Sequence, residues 1–177
     1  MDRRTLLTGG GTLLVAAALT RDAHARSKAA ELTHEDSHFM QLAIDQAKDA
    51  DYPFGAVIVG EGNRVLALGR NSSKRNADPT AHAEMVAIRA FLSGHDPQDF
   101  KRTTLYASGE PCPMCMGAII WCGIRRVVFA AAIAQLATKL GQIDITSQQM
   151  ADATPFADIE IAGGLLSGNA MRLFDKG

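Results

Sequence analysis

Two kinds of apolar pattern divide most of the chain into short helices and strands. After Thr33, which with Asp36 forms a start typical of a capping box, apolar residues recur at helical spacing to about Ala50. Short runs rich in β-branched residues and bounded by Gly, Asn or Asp predict strands, of which the first two form a hairpin. The predicted order is a helix at 33–50, a hairpin at 54–70, a helix at 79–92, a strand at 103–107, a helix at 113–121, a strand at 126–131, helices at 133–140 and 147–153, a strand at 159–162 and a helix at 165–174.

The second predicted helix places two polar residues near its start. Asp78 is a favourable N-cap and Pro79 suits the first helical position, so this helix is predicted to begin at Pro79. His82 and Glu84 then lie in its first turns. Two strand–helix–strand units along the chain predict an α/β fold in which helices cover the faces of a layered sheet.

Composition and charge narrow the class of protein. The chain has 177 residues, 47% of them hydrophobic, which is enough for one domain with a proper core. Its 18 basic and 19 acidic residues give a formal charge of -1, without the basic excess usual in proteins that bind nucleic acids. A nucleic-acid partner is therefore not expected. Cys112, Cys115 and Cys122 lie too close together in the sequence for a disulfide framework.

The N-terminal segment has the pattern of an export signal. Arg3 and Arg4 precede a mildly apolar run, and Ala23-His24-Ala25 has the small residues of a cleavage site. We therefore predict a twin-arginine signal peptide at 1–25 and a single domain at 26–177, in a periplasmic or secreted protein without membrane contact after cleavage. The N-terminal segment has two alternative interpretations. It could be a retained membrane anchor, although its apolar run is short for one, or a tail that is not a signal, in which case the protein would stay in the cytoplasm.

The residues that carry chemistry are His82, Glu84, Cys112 and Cys115. One imidazole and two thiolates are typical zinc ligands, and a zinc with three protein ligands keeps a position for water, as catalytic sites do. Zinc lowers the pKa of such a water to about 7, and Glu84 is close enough in sequence to His82 to carry its protons. Alone, the cysteine pair would also suit a redox pair or a disulfide, and the His-x-Glu pair would mean little. Together they predict a catalytic zinc site.

Four longer motifs surround these residues: Pro53-Phe54-Gly55-Ala56-Val57-Ile58-Val59, Gly69-Arg70-Asn71, Asp78-Pro79-Thr80-Ala81-His82-Ala83-Glu84 and Glu110-Pro111-Cys112-Pro113-Met114-Cys115-Met116-Gly117-Ala118. Together they resemble the cytidine-deaminase-like superfamily, in particular its guanine deaminase and tRNA adenosine deaminase branches. The resemblance implies a three-layer α/β/α fold with a five-stranded mixed sheet, one zinc per subunit and a homodimer. It implies zinc ligation by His82, Cys112 and Cys115, proton transfer by Glu84 and a hydrogen bond from Asn71 to the substrate base.

The same resemblance implies a zinc-dependent hydrolytic deaminase. The preferred substrate is a free nucleobase, a nucleoside or a similar aminated heterocycle, because Trp121 is similar to a substrate-binding aromatic residue of guanine-type members and because export separates the protein from tRNA. Guanine-type members carry an acid shortly after the strand that ends near Phe129, and this chain has none there, which speaks against guanine itself. The alternatives are a tRNA adenosine deaminase and a zinc-stabilised binding module without catalysis.

Three of these residues also have simpler interpretations. Asn71 follows a predicted strand and would suit a turn. Trp121 would equally suit the core or a dimer interface. Cys122 is interpreted as a small hydrophobic residue rather than a fourth zinc ligand.

Overall fold

The computed structural model describes residues 28–29, 31–156 and 158–175, which form helices on both faces of a mixed β-sheet. The predicted signal at 1–25 lies outside these residues. The strands are β1 (Lys28–Ala29), β2 (Gly55–Gly60), β3 (Arg64–Arg70), β4 (Thr104–Gly109), β5 (Arg126–Ala131) and β6 (Glu160–Ala162). The helices are α1 (His34–Ala47), α2 (Ala83–Leu92), α3 (Pro113–Cys122), α4 (Ile133–Leu136), α5 (Ser147–Asp152) and α6 (Ser167–Met171), with 3-10 turns at Glu61–Asn63, Pro97–Arg102 and Arg172–Asp175. None of these described helices is long and apolar enough to cross a membrane.

The strands pair in the order β1-β6-β5-β4-β2-β3. β4, β5 and β6 are parallel neighbours, whereas β2 is antiparallel to both β3 and β4. The predicted hairpin and the mixed, layered sheet are therefore confirmed. Strands β2 to β6 are the five that the resemblance implied, and the two-residue β1 adds a sixth strand, parallel to β6, at the edge.

Neighbouring residues of the central strands point to opposite faces of the sheet, and both faces are buried. In β2, Ala56 and Ile58 belong to the core under α2 and α3, whereas Val57 and Val59 belong to the core under α1 and α6. β4 and β5 alternate in the same way. Continuous apolar strands of this kind are typical of a sheet covered on both sides, and the fold is the predicted three-layer α/β/α arrangement.

A glycine in β3 fixes the position of the helix that carries two of the predicted site residues. A Cβ atom at Gly69 would collide with the backbone oxygen of Ala83 and the backbone nitrogen of Ala87. Only glycine therefore lets α2 lie this close to the sheet. Because Ala83 stands between His82 and Glu84, the close approach also fixes both of these residues relative to β3.

The start of α2 differs from the prediction. The helix begins at Ala83 rather than at Pro79, because the Asp78 carboxylate accepts hydrogen bonds from the backbone N–H (2.8 Å) and the hydroxyl (2.6 Å) of Thr80 and closes a turn there. His82 is consequently the N-cap of α2, with extended backbone at φ -66° and ψ 160°. The predicted helices at 133–140 and 165–174 are also shorter, and each continues as turns or a 3-10 segment.

A buried ion pair joins α1 to β5. Arg126 donates to both carboxylate oxygens of Asp36, at 2.8 and 2.9 Å, and the Tyr106 hydroxyl donates to one of them at 2.6 Å. The same carboxylate accepts the Thr33 N–H at 2.6 Å, as the capping-box pattern predicted. Burial acts to raise the pKa of Asp36, but these hydrogen bonds and the Arg126 charge outweigh it and hold that pKa well below its usual range.

Replacing Asp36 with asparagine is expected to lower the free energy of unfolding by about 3–5 kcal/mol, since the Arg126 charge then lies largely buried without a partner. Because the folded-state pKa of Asp36 is depressed, its contribution is fully present above the unfolded-state pKa of about 4 and is lost progressively as the pH falls from there through the depressed folded-state pKa. The difference between wild type and variant, measured by urea unfolding, should therefore be smaller at pH 3 than at pH 7.

The matched control lies in the same helix. Asp45→Asn breaks the exposed ion pair between Asp45 and Lys48 and should cost less than about 1 kcal/mol. If both variants lost the same stability, or if the Asp36 effect did not depend on pH, the carboxylate of Asp36 would not have this role.

Candidate active site

Two helix N-termini meet beyond the ends of β3 and β4. His82 is the N-cap of α2, and Glu84 lies in the first turn of that helix. Cys112 is the N-cap of α3, Pro113 takes the first helical position, and Cys115 lies in the first turn. The positive ends of both helices favour carboxylate and thiolate groups beside them. The fold thus brings the four residues with predicted chemistry to one place.

The three predicted zinc ligands form a compact triangle. The Sγ atoms of Cys112 and Cys115 are each 3.6 Å from His82 Nδ1 and 3.7 Å from one another. A tetrahedral zinc with bonds of about 2.3 Å to sulfur and about 2.0 Å to nitrogen places the two sulfur atoms about 3.8 Å apart and each sulfur about 3.5 Å from the nitrogen. The side chains therefore fit a zinc ion. Among the described residues the cluster has these three members, so a bound zinc would keep one position open.

Glu84 lies directly beside this triangle without being part of it. Its Oε2 atom is 3.4 Å from Cys115 Sγ, and the side chain is buried but lines the cavity next to the ligands. Burial raises the pKa of Glu84. A carboxyl group in this position is placed to exchange protons with a molecule bound in the cavity.

Hydrogen bonding divides the charge unequally between the two thiols. The hydrogen bond between the two sulfur atoms lowers the pKa of Cys112 to about 4, and a hydrogen bond with His82 lowers it as well. The same bond between the sulfur atoms, together with burial, raises the pKa of Cys115. The hydrogen bond with Cys112 in turn raises the pKa of His82. The site thus holds a thiolate at neutral pH, which is the form in which cysteine binds metals.

Asn71 follows β3 and has a fixed orientation in the cavity wall. Its Oδ1 atom accepts hydrogen bonds from the backbone N–H (3.2 Å) and the hydroxyl (2.7 Å) of Ser73. Its Nδ2 atom donates to no described residue, although the side chain lines the cavity. Asn71 therefore presents N–H donors, which suit a carbonyl oxygen or an unprotonated ring nitrogen of a ligand. The hydrogen bond from Asn71 to a substrate stays a prediction.

These groups share one cavity of about 650 Å³, a size typical of sites for small molecules. At its deep end lie Asn71 and Glu84, which are 3% and 7% exposed. Its outer part is formed by more exposed residues that the sequence did not single out: Tyr52, Lys74, Gly141 and Ile143.

A second buried carboxylate holds one wall of the cavity. Glu110 accepts the backbone N–H of Ile133 at 2.9 Å with one oxygen and that of Ser147 at 2.8 Å with the other. These are the first residues of α4 and α5, so Glu110 attaches both helices to the loop that carries Cys112. This role of Glu110 is not predicted from the sequence. Glu110 stands in the quoted motif, but its partners lie 23 and 37 positions away.

Two other candidate residues lie outside the cavity. Trp121, at the end of α3, is 78% exposed, and its ring lies 4.9 Å from that of Phe156. Trp121 therefore does not line this cavity in the described part of the chain, because its side chain is on the outer surface of α3, and its contact with a substrate stays a prediction. Cys122 is half-buried against the core under α2 and α3 and does not belong to the triangle of ligands.

Comparison with known families agrees with this geometry. The family model of the cytidine and deoxycytidylate deaminase zinc-binding region matches residues 33–131, which is more than half of the chain. The chain belongs to this family. Membership of the deaminase family, together with the triangle formed by His82, Cys112 and Cys115, confirms the predicted zinc.

Curated proteins that are similar to this chain match it over different lengths. The probable cytosine deaminase of Schizosaccharomyces pombe is 34% identical over 151 residues, which are 80% of this chain and 91% of that protein. The guanine deaminase of Bacillus subtilis is 47% identical over 79 residues, 45% of this chain and 50% of that protein. The tRNA(Ile)-lysidine synthase of Deinococcus deserti is 32% identical over 132 residues, 75% of this chain. The chain spans only 24% of that longer protein.

Solved structures of deaminases have the same fold. A structure from a study of A-to-I editing by tRNA:A34 deaminases is 29% identical, covers 77% of this chain and 99% of that chain, and superimposes with a TM-score of 0.64. The guanine deaminase of Bacillus subtilis is 38% identical, covers 60% and 69% of the two chains, and gives a TM-score of 0.53. The predicted fold class is thus confirmed by both its topology and its structural relatives.

Proposed function

We propose that the protein is a zinc-dependent hydrolytic deaminase of a free nucleobase, a nucleoside or a similar aminated heterocycle. The observation that carries this function is the position of Glu84. Its carboxyl group lies 3.4 Å from Cys115 Sγ, at the deep end of the cavity, but is not one of the three clustered ligands. A proton-transfer group beside an open metal site that faces a cavity is an arrangement suited to hydrolysis.

The residues of the chain supply substrate orientation and proton transfer. His82, Cys112 and Cys115 would hold the zinc, which lowers the pKa of a bound water to about 7. Glu84 takes a proton from the attacking water, passes it to the ring nitrogen beside the attacked carbon and later protonates the departing amine. A C–O bond forms and a C–N bond breaks, so one water is consumed and ammonia is released. Asn71 donates a hydrogen bond to an acceptor on the ring.

The choice of a small substrate is supported by the relatives and by the cavity. Two of the relatives are named for the free bases cytosine and guanine. The carboxylates in the described lining are Glu84 and Glu110, and Glu110 uses both oxygens for backbone N–H groups. Beyond these two, the described lining offers no carboxylate for the ring N–H groups of guanine, which supports a substrate other than guanine.

An ammonia-release screen of the zinc-loaded full chain tests the proposed function. The substrates are guanine, adenine, cytosine, isocytosine, their nucleosides, triazines and a tRNA anticodon stem-loop. Release from a free base, a nucleoside or a triazine supports the proposal. Release from the stem-loop alone would make the protein a tRNA adenosine deaminase. Zinc binding without release from any substrate would leave a binding module.

We also propose that the protein is exported by the twin-arginine route, on the basis of Arg3, Arg4 and the Ala23-His24-Ala25 site. Replacing both Arg3 and Arg4 with lysine is expected to abolish export and leave an unprocessed, cytoplasmic chain. Cell fractionation and the N-terminal sequence of the exported chain measure this. Arg21→Lys, a matched change in the same segment, should leave export intact, and export of the double variant would contradict the proposed route.

A homodimer is proposed from the apolar outer surface of α3. Met114 and Trp121 are 36% and 78% exposed on this helix, and Phe156 beside Trp121 is 55% exposed. Exposed apolar groups of this size are typical of protein interfaces. Light scattering should give a mass about twice that of one processed chain, and a monomer at micromolar concentration would contradict the proposal.

A further inference from the structure

One cation stands in the outer part of the active-site cavity. Lys74 is the one lysine or arginine among the described residues that line it. Its Nζ atom lies 4.5 Å from the centroid of the Tyr52 ring, which also lines the cavity. A cation–π contact of this length holds the ammonium group near the opening.

The backbone of the loop that carries Lys74 is fixed by a neighbouring carboxylate. Asp51 accepts the backbone N–H groups of Lys74 and Arg75, both at 2.8 Å, and pairs with the Arg75 side chain at 2.8 Å. The Asp51 side chain is only 10% exposed, so this anchor is well shielded. Among the described residues, no carboxylate forms an ion pair with the Lys74 side chain.

The acidic groups of the described lining are Glu84, Glu110 and the Cys112 thiol, and none of them forms an ion pair with Lys74. Glu84 is at the deep end, and Glu110 is engaged by two backbone N–H groups. Lys139 precedes the lining residues at 140–143 but is paired with Asp175 at 2.7 Å, so it does not supply a second unpaired cation there. An unpaired cation at the mouth of a cavity attracts an anion.

The size of the cavity leaves room for such an anion. If the ring to be deaminated lies beside Glu84 and Asn71, the remaining space leads outward to Tyr52 and Lys74. We propose that Lys74 is a specificity-determining residue, which favours substrates that carry a phosphate group beyond the aminated ring. The inference rests on the proposed deaminase function, because it requires the ring to occupy the deep end.

The test compares matched substrates that differ only in the phosphate. The kcat/KM of the zinc-loaded full chain is measured for each nucleoside and for its 5′-monophosphate, and the ratio of the two values is the readout. In Lys74→Gln this ratio should fall by about 2- to 5-fold, as expected for loss of one exposed ion pair. Lys74→Arg should retain the ratio. Lys101→Gln, the same change of charge outside this cavity, should retain it too.

The outcomes separate this inference from the proposed function. An unchanged ratio in an active Lys74→Gln variant would overturn the role of Lys74 and leave the deaminase function standing. If no substrate releases ammonia, calorimetry with the monophosphates and nucleosides still measures whether Lys74 favours the phosphate. A Lys74-dependent preference for an RNA hairpin over the free nucleotide would place the phosphate in a nucleic acid and overturn the small-molecule substrate.

Discussion

Glu84→Gln is expected to lower the rate of ammonia release by about 100- to 10,000-fold, the range in which a positioned acid–base group contributes to catalysis. Glutamine has nearly the same shape as glutamate but cannot take up or deliver a proton in this reaction. Because Glu84 is not one of the three clustered ligands, the zinc content should stay the same. Steady-state ammonia release and metal analysis of the same preparation measure the two effects.

The control for this variant is an acid outside the cavity. Glu61→Gln changes an exposed residue in the hairpin turn and should leave both the rate and the zinc unchanged. An unaltered rate in Glu84→Gln would contradict proton transfer by Glu84. A loss of zinc in this variant would instead show that Glu84 holds the metal, contrary to the geometry of the triangle.

The central part of the fold could be predicted because its strands are continuous apolar runs with clear ends. The predicted strand at 126–131 coincides with β5 (Arg126–Ala131), and the hairpin has its turn at Glu61–Asn63 as predicted. The cysteine pair could also be located on a helix, since Pro113 and Gly123 mark its start and end. Gly123 has a φ of 79°, which favours glycine at a helix C-terminus.

The start of α2 was predicted wrongly for a local reason. Asp78-Pro79 has the residues of a helix start, but the Asp78 carboxylate accepts hydrogen bonds from Thr80 and closes a turn, and the helix begins at Ala83, four residues after Pro79. A helix and a turn compete for the same N–H groups, and the sequence alone does not decide between them. The difference affects the site, because it makes His82 the residue that caps α2.

The outer part of the cavity could not be predicted, since it depends on contacts between distant segments. Tyr52 and Lys74 meet only because Asp51 binds the backbone after Ser73. Ile143 reaches the same cavity through the attachment of α4 and α5 to Glu110. None of these contacts leaves a periodic pattern. For Trp121, by contrast, the resemblance to guanine-type deaminases predicted a contact with the substrate, but the side chain lies outside the described lining of the cavity.

Cys115→Ser is expected to lower the affinity for zinc by at least about 100-fold. Loss of a partner that merely orients a ligand already costs about 10- to 100-fold in metal affinity, and Cys115 is itself a member of the triangle, 3.6 Å from His82 Nδ1. Serine is nearly as small but does not ionise at neutral pH, so it is a poor substitute for a thiolate. Titration with zinc in competition with a chelator measures the affinity independently of any activity.

Cys122→Ser is the matched control for this change. Cys122 is a half-buried thiol at the end of the same helix, α3, but lies outside the triangle. It should bind zinc as the wild type does, whereas Cys115→Ser should not. Circular dichroism of both variants shows whether each is folded before metal is added. Equal zinc affinities in the two variants would mean that Cys115 is not a ligand. Loss of zinc in Cys122→Ser alone would move the metal to the other end of α3, away from Glu84.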